Sequence, residues 1–214
     1  MKSRVNLFVI IVFTTVAIGM CLFSGCTSSR LANEWRDPAF GSQPLTHMLI
    51  IVPKKNPIYK RLWEDAFVAG LAAQGVDATP SYSIFGDSIP DPSQISSVVQ
   101  DKHFDGVLMV KRLQTQYSTI DMPGAVTKQA VDRYNKWTNS YETIYKEVQQ
   151  PGYTDTSKIV RHEVDVYSTA GEGGHMIWAG TGETLDPSSG AAVKDEVTNL
   201  VIPELANQGI IPKK

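Results

Sequence analysis

Cysteine is scarce in this chain: there are two, Cys21 and Cys26, and both fall in the first 26 of 214 residues. No cysteine follows them, so a thiol nucleophile, a Cys-x-x-Cys redox pair and a cysteine zinc site are all excluded from the body of the protein. Histidine is nearly as rare. His47, His103, His162 and His175 are scattered without ligand spacing, which argues against a metal centre. His162-Glu163 opens like a zinc-protease helix. That motif needs a second histidine four residues on; the position holds Val166, and the segment alternates like a strand. There is no Gly-x-Ser-x-Gly elbow. The glycines at 171–174 and 180–182 are not followed by Gly-Lys-Ser/Thr, so they read as turns rather than phosphate loops. No catalytic residue and no cofactor is therefore expected. Charge of one sign is not concentrated anywhere, and the net charge is only −2. A nucleic-acid binder would need a basic face, and none is present. Internal repeats and low-complexity segments are absent as well.

What is present begins at the N-terminus. Lys2 and Arg4 form a short positive region, and Val5–Leu22 is an apolar run without charge. Phe23-Ser24-Gly25-Cys26 follows, then a polar stretch from Thr27 to Arg30. This is the pattern of a secretory signal peptide, residues 1–25, ending at small residues that admit a peptidase. Leu22-Phe23-Ser24-Gly25-Cys26 resembles a bacterial lipobox, with Phe23 where Leu is usual and Leu22 one step further out. Acylation at Cys26 would tie the mature chain to a membrane, since each buried acyl CH₂ contributes about 0.8 kcal/mol. The alternative is an uncleaved membrane anchor, because the run approaches the ~20 residues needed to span a bilayer. Removing residues 1–25 takes Lys2 and Arg4 from the 20 basic residues and leaves all 22 acidic ones. The mature protein is then mildly acidic, has no disulfide, and depends on packing alone in an oxidising compartment. Thr27, rather than Asp, follows Cys26. In Gram-negative lipoproteins that resemblance implies the outer membrane, facing the periplasm.

Residues 26–34 read as a lipidated polar tether and 35–214 as one domain, a length suited to a single core. His47–Val52 is an unbroken apolar run, which suits a strand covered on both faces. Asn56-Pro57 is a helix start, in which Asn caps and Pro takes the first turn. Ile58, Leu62, Ala66 and Ala69 form one stripe of that helix, with Trp63, Phe67, Gly70 and Leu71 beside it, and Gly75 fits just past its end. Ala78–Phe85 is β-like, at an edge because of Pro80. Asp91-Pro92 repeats the cap-plus-proline start over Ile95, Val98 and Val99. Asp105-Gly106 leads into Val107–Val110, a second buried run, extended by alternation through Thr119. This β-α-β-α-β order predicts parallel pairing with helices on the sheet. Residues 121–154 are polar and aromatic, with a helical turn or two expected over Ala130–Trp137. Ile159–Tyr167 alternates and His175–Thr184 returns, predicting an antiparallel hairpin around the glycines at 171–174. Ser188 or Ser189 caps a last helix striped by Val193, Val197, Leu200 and Val201, with Pro203 kinking it or starting a second one and Gly209 ending it. The fold class expected is α/β (α+β): a mixed sheet with helices packed on it, a βαβαβ first half, then a hairpin and a C-terminal helix.

Several of these elements resemble a known group. Trp35-Arg36-Asp37-Pro38 follows the lipobox; Gly75-Val76 follows the first helix; Asp105-Gly106-Val107-Leu108 opens the third strand of the half. The late pair reads Val164-Asp165-Val166-Tyr167 and Ile177-Trp178-Ala179-Gly180-Thr181. The chain is similar in these to a family of bacterial envelope lipoproteins of unknown function. Their αβ fold looks like the TolB amino-terminal domain and the curli-secretion and penicillin-binding-protein-activator lipoproteins. The similarity spans about 35–211 and is weakest over 121–154. It implies a non-enzymatic envelope role and brings no catalytic residue with it.

The remaining candidates are surface features. Glu64-Asp65 and Asp195-Glu196 lie on helices with an apolar opposite face and read as solvated carboxylates, not as acid–base machinery. The aromatic residues between 134 and 153 are of the kind that grip a partner, with Trp137, Tyr141 and Tyr145 as candidate contacts. The plainer reading has them packing as a loop over the sheet. The expected function is a lipid-anchored periplasmic binding or envelope-assembly module, its partners a membrane and an envelope protein. A small envelope hydrolase with a non-standard site, or a ligand-binding domain using the carboxyl ends of its strands, is the alternative.

Overall fold

The computed structural model describes residues 28–41, 43–170 and 174–214. The expected signal peptide, Cys26 and most of the glycine turn at 171–174 lie outside the described residues. Among the described residues, no helix is long and apolar enough to cross a membrane.

The elements in chain order are β1 (Ser28–Arg36), β2 (His47–Ile51), α1 (Pro57–Ala73), β3 (Asp77–Pro80), a single turn α2 (Tyr82–Phe85), α3 (Pro92–Lys102), β4 (Gly106–Arg112), β5 (Gln116–Met122), β6 (Ala125–Asn135), β7 (Ser140–Gln150), β8 (Tyr153–Ser168), β9 (His175–Leu185) and α4 (Gly190–Asn207). The main sheet runs β1-β9-β8-β4-β2-β3, with β5 on the remaining half of β8. The expected mixed α+β sheet is present. β2 pairs in parallel with both β3 and β4, whereas β4–β8, β8–β9 and β1–β9 are antiparallel.

Local chemistry places the helices where the sequence predicts them. Asn56 Oδ1 accepts the N–H of Tyr59 at 3.0 Å and Pro57 occupies the first turn. Asp91 and Gln94 form a reciprocal capping box at α3. Ser189 Oγ accepts the N–H of Ala192 at the start of α4, and Gly75 takes the left-handed conformation beyond α1 (φ +87°). Pro203 is accommodated inside one continuous helix rather than starting a second.

The alternation of β2 is buried on both sides. Met48 and Ile50 join the larger core with Trp63, Phe67 and Leu71 of α1 and Val197, Val201 and Leu205 of α4. Leu49 and Ile51 face the smaller core, with Phe104, Val107 and the half-buried Ile95, Val98 and Val99 of α3. α1 and α3 therefore lie on opposite faces, as right-handed crossovers running in opposite directions require.

Five expectations need correction. Residues 28–34 are not a tether but most of the edge strand β1, which pairs with β9 from Ser28↔Leu185 onward. The stretch 78–85 is strand only to Pro80 and then a helical turn. The alternation after Val110 does not run through to Thr119 as one strand: β4 ends at Arg112, and β5 begins at Gln116. The buried face of α1 is Lys60, Trp63, Glu64, Phe67 and Leu71, while Ile58 and Leu62 are exposed. Glu64 is fully buried rather than solvated. Its carboxylate accepts the N–H of Val52 (3.0 Å), the hydroxyl of Ser81 (2.7 Å) and the N–H of Tyr82 (2.9 Å), which ties the end of β2 to the turn after β3. Lys60, one turn earlier and also buried, donates to the carbonyls of Gly86 and Ser88.

Candidate functional site

The segment expected to hold a helical turn is instead a β-ribbon. β5 pairs with the first half of β8, and β6 pairs with β7 in a separate two-stranded ladder from Ala125↔Gln150 to Asn135↔Ser140. Between them, Pro123-Gly124 and Pro151-Gly152 interrupt both strands at the same level. A proline has no N–H for a ladder. The glycines let the two backbones close up: a Cβ on Gly124 would sit 2.6 Å from the carbonyl oxygen of Gln150, and one on Gly152 2.8 Å from that of Met122. The result is an arm jointed in its middle. From Gln116 to Asn135 it carries about 65 Å of extended chain, at ~3.3 Å per residue. Nearly all of its side chains are exposed, and none belongs to either core.

The three candidate contacts lie on its outer ladder: Trp137 in the end loop, Tyr141 beside it opposite Tyr134, and Tyr145 midway along, opposite Ala130. Trp137 is 98% exposed in the loop joining β6 to β7, and Tyr141 and Tyr145 are 76% and 70% exposed. Tyr141 and Tyr145 lie four residues apart on β7 and so share a face. Tyr134 stands opposite Tyr141 with ring centroids 5.2 Å apart. The loop is shaped by Asn135 Oδ1, which accepts the N–H of Trp137 (3.0 Å), and by Asn139 Oδ1, which accepts the Tyr134 hydroxyl (2.6 Å). Asn139 sits at φ +53°, a conformation asparagine tolerates well. The aromatic rings therefore do not pack over the main sheet, contrary to the plainer sequence expectation.

A second place is polar and buried. His162, on β8, is 2% exposed and stacks on Trp63 with ring centroids 4.3 Å apart. Its Nε2 lies 2.9 Å from the Tyr59 hydroxyl, and its Nδ1 is buried with no partner among the described residues. Burial, aided by Arg112 and Lys54, lowers the imidazole pKa to about 3, and burial raises the Tyr59 hydroxyl to about 12. Both groups are uncharged at neutral pH and neither titrates near it, unlike a working general base. The strand alternation put His162 on the same side as Val160, Val164 and Val166, which is the signal that it faces the core. Its partner on α1 was not readable from sequence.

Two other titratable groups with shifted pKa values, Glu183 and Lys111, are paired. Glu183 is held below its ordinary carboxylate range by hydrogen bonds from Arg30 and Arg161, against the opposing effect of burial. Lys111 is raised by its hydrogen bond to the buried Asp165 (2.6 Å). Among the described residues, no three His, Cys, Asp or Glu side chains converge as a metal-ligand set. A cleft of about 310 Å³ lies between α3 and the sheet, lined by Ile95, Val99, Val107, Met109 and Tyr167.

No family model matches the chain, and no curated protein matches its sequence. Solved structures share parts of its shape. The PelC dodecamer of Paraburkholderia phytofirmans is 14% identical over 87% of this chain and 100% of its own, with a TM-score of 0.45. A PDZ domain protein of Parabacteroides distasonis is 10% identical over 83% of this chain and 36% of its own (TM-score 0.38). A lipoprotein of Neisseria meningitidis is 15% identical over 76% of this chain and 99% of its own (TM-score 0.36).

Proposed function

We propose that this chain is a lipid-anchored module of the cell envelope, attached through Cys26 to the outer membrane and facing the periplasm, and that it grips an envelope protein with the tip of its arm without itself catalysing a reaction. The anchor rests on the charged start, the apolar run and the lipobox-like Leu22–Cys26. The grip rests on one observation: Trp137, Tyr141 and Tyr145 stand exposed along the outer ladder of a ribbon that contributes nothing to either core. Three large aromatic side chains kept in water along such a ribbon have the composition of binding hot spots. The position of the arm fits this role, since it carries the aromatic tip away from the packed body.

The test is site-specific photo-crosslinking in intact cells. A crosslinkable residue at 137, 141 or 145 is expected to capture one discrete product, and the same residue at Ser96 on the body is expected to capture none. Labelled palmitate is expected on the wild-type chain and not on Cys26→Ser. Equal crosslinking from tip and body, or palmitate retained in the serine variant, would refute the reading.

A further inference from the structure

β2 is the hinge of the sheet's connectivity. The chain leaves it through α1 to β3 on one side, then crosses through α3 to β4 on the other. Sheets wound in this way open a crevice at the carboxyl ends of the two strands that part, here β2 and β4. The register shows which residues arrive there. The last ladder partners are Ile51 and Met109. Three residues further along the chain from each lie Lys54, beyond the end of β2, and Arg112, the last residue of β4, which is opposite His162 in the β4–β8 ladder. α1 starts at the same place and sets Tyr59 in its first turn.

Both cations lie beside one polar pair, the buried His162 and the half-buried Tyr59. Lys54 Nζ stands 6.0 Å above the Tyr59 ring, and Arg112 and Lys54 both act on His162. Among the described residues, neither Lys54 nor Arg112, nor the adjacent Lys55, has a carboxylate partner within ion-pair distance. The proton inventory points the same way. A neutral imidazole carries one N–H. If it were on Nδ1, a buried donor would be orphaned, the costly case. With the proton on Nε2, His162 donates to the Tyr59 oxygen and only a bare acceptor is left over. The Tyr59 O–H is then a donor with no acceptor in the protein, because its oxygen has no other hydrogen bond.

We propose that the crevice at the carboxyl ends of β2 and β4 binds a phosphate-class oxyanion, with Lys54 and Arg112 meeting its charge and the Tyr59 hydroxyl donating to one of its oxygens. The anion holds His162 in the Nε2-protonated tautomer through Tyr59, while Lys54 and Arg112 supply charge-assisted contacts. The phosphate is either that of a soluble monoester or that of a lipid headgroup. The contacts are the same for both.

His162 gives a direct readout. Full-length protein in detergent micelles, labelled with ¹⁵N-histidine, is titrated with inorganic phosphate while chloride holds the ionic strength constant. The His162 nitrogen resonances are expected to shift saturably while keeping the Nε2-protonated pattern, as the Tyr59 hydroxyl turns to the anion. Lys54→Gln and Arg112→Gln are each expected to weaken phosphate about tenfold, as loss of one charge-assisted contact does. Tyr59→Phe is expected to abolish the response at His162. The two glutamine changes alter partly or fully exposed side chains, so an unchanged melting temperature checks that the fold is kept. Glycerol 1-phosphate reproducing the shift assigns a soluble monoester. A shift that phosphatidic acid vesicles give at a far lower phosphate concentration than glycerol 1-phosphate assigns a headgroup. A response that follows ionic strength alike for phosphate and chloride, or that survives in the Lys54→Gln/Arg112→Gln double variant, overturns the site.

Discussion

Glu64 and Val52 are joined by a buried hydrogen bond of 3.0 Å, from the main-chain N–H just beyond β2 to a carboxylate in the middle of α1. The same carboxylate takes donors from Ser81 and Tyr82. A buried charge is tolerated only when hydrogen bonds replace its water, and here three do. Glu64→Ala leaves those donors orphaned and is expected to destabilise the protein by about 1–3 kcal/mol for each donor left buried without a partner. Glu64→Gln keeps the shape but turns an NH₂ toward donors, and is expected to cost about 1.5–3 kcal/mol. Denaturant unfolding measures both. An alanine variant as stable as the wild type would show that the carboxylate does not hold the two turns together.

His162 makes stability depend on pH with a defined sign. Its pKa is about 3 in the fold against 6.5 in an unconstrained histidine. Between those values the unfolded chain takes up a proton that the native chain does not. Stability is therefore full above pH 6.5 and falls as the pH drops toward 3, by up to ~1.4 kcal/mol per pH unit from this group. Glu183, depressed by Arg30 and Arg161, adds a loss of the same sign below its ordinary 4.5. Unfolding at pH 7, 6 and 5 isolates the histidine, because this window lies above the carboxylate range. His162→Gln is expected to flatten that slope, and parallel slopes for the two proteins would contradict the assignment.

The tip aromatics are expected to separate binding from folding. Trp137→Ala, Tyr141→Ala and Tyr145→Ala remove exposed rings, so each should leave stability within about 0.5 kcal/mol. If the tip is the contact, at least one of them should weaken partner capture by about 2 kcal/mol, close to thirtyfold. Full capture by the triple variant would move the interface elsewhere.

How far the fold was readable depends on where the information sits. α1 and α3 announce themselves because Asn56-Pro57 and Asp91-Pro92 carry cap and first turn in two adjacent residues. β2 and β4 are apolar on both faces because helices cover both faces. The arm has no apolar face, so alternation had nothing to mark it. Its remaining signal was β-favouring content, with Val126, Val131, Tyr141, Ile144 and Tyr145 along two strands. β1 is polar because it is an edge strand, and a polar edge resembles a tether. The exposed tip residues were recognisable by type. The Tyr59–His162 pair and the Glu64 hydrogen bonds were not, since each joins groups distant in sequence, 103 residues apart for Tyr59 and His162.

The joint in the arm makes the last prediction. Gly124 and Gly152 face each other where Pro123 and Pro151 interrupt the ladder, and each backbone occupies the space a side chain would need. Gly124→Ala or Gly152→Ala must push the strands apart, because the obstructing atoms are main-chain carbonyls rather than flexible side-chain ends. The inner ladder β5–β8 is continuous with the main sheet, while β6–β7 is a lone two-stranded ribbon, which is marginal in water by itself. The strain should therefore be relieved outward. Limited proteolysis is expected to cut the variants faster near 124 or 152, with the melting temperature of the body unchanged. Crosslinking from Trp137 should fall in the same variants, since a loosened ribbon no longer presents its tip in one place. A variant cleaved no faster than the wild type would mean that the two strands can take a methyl group at this level and that the joint is not set by backbone contact.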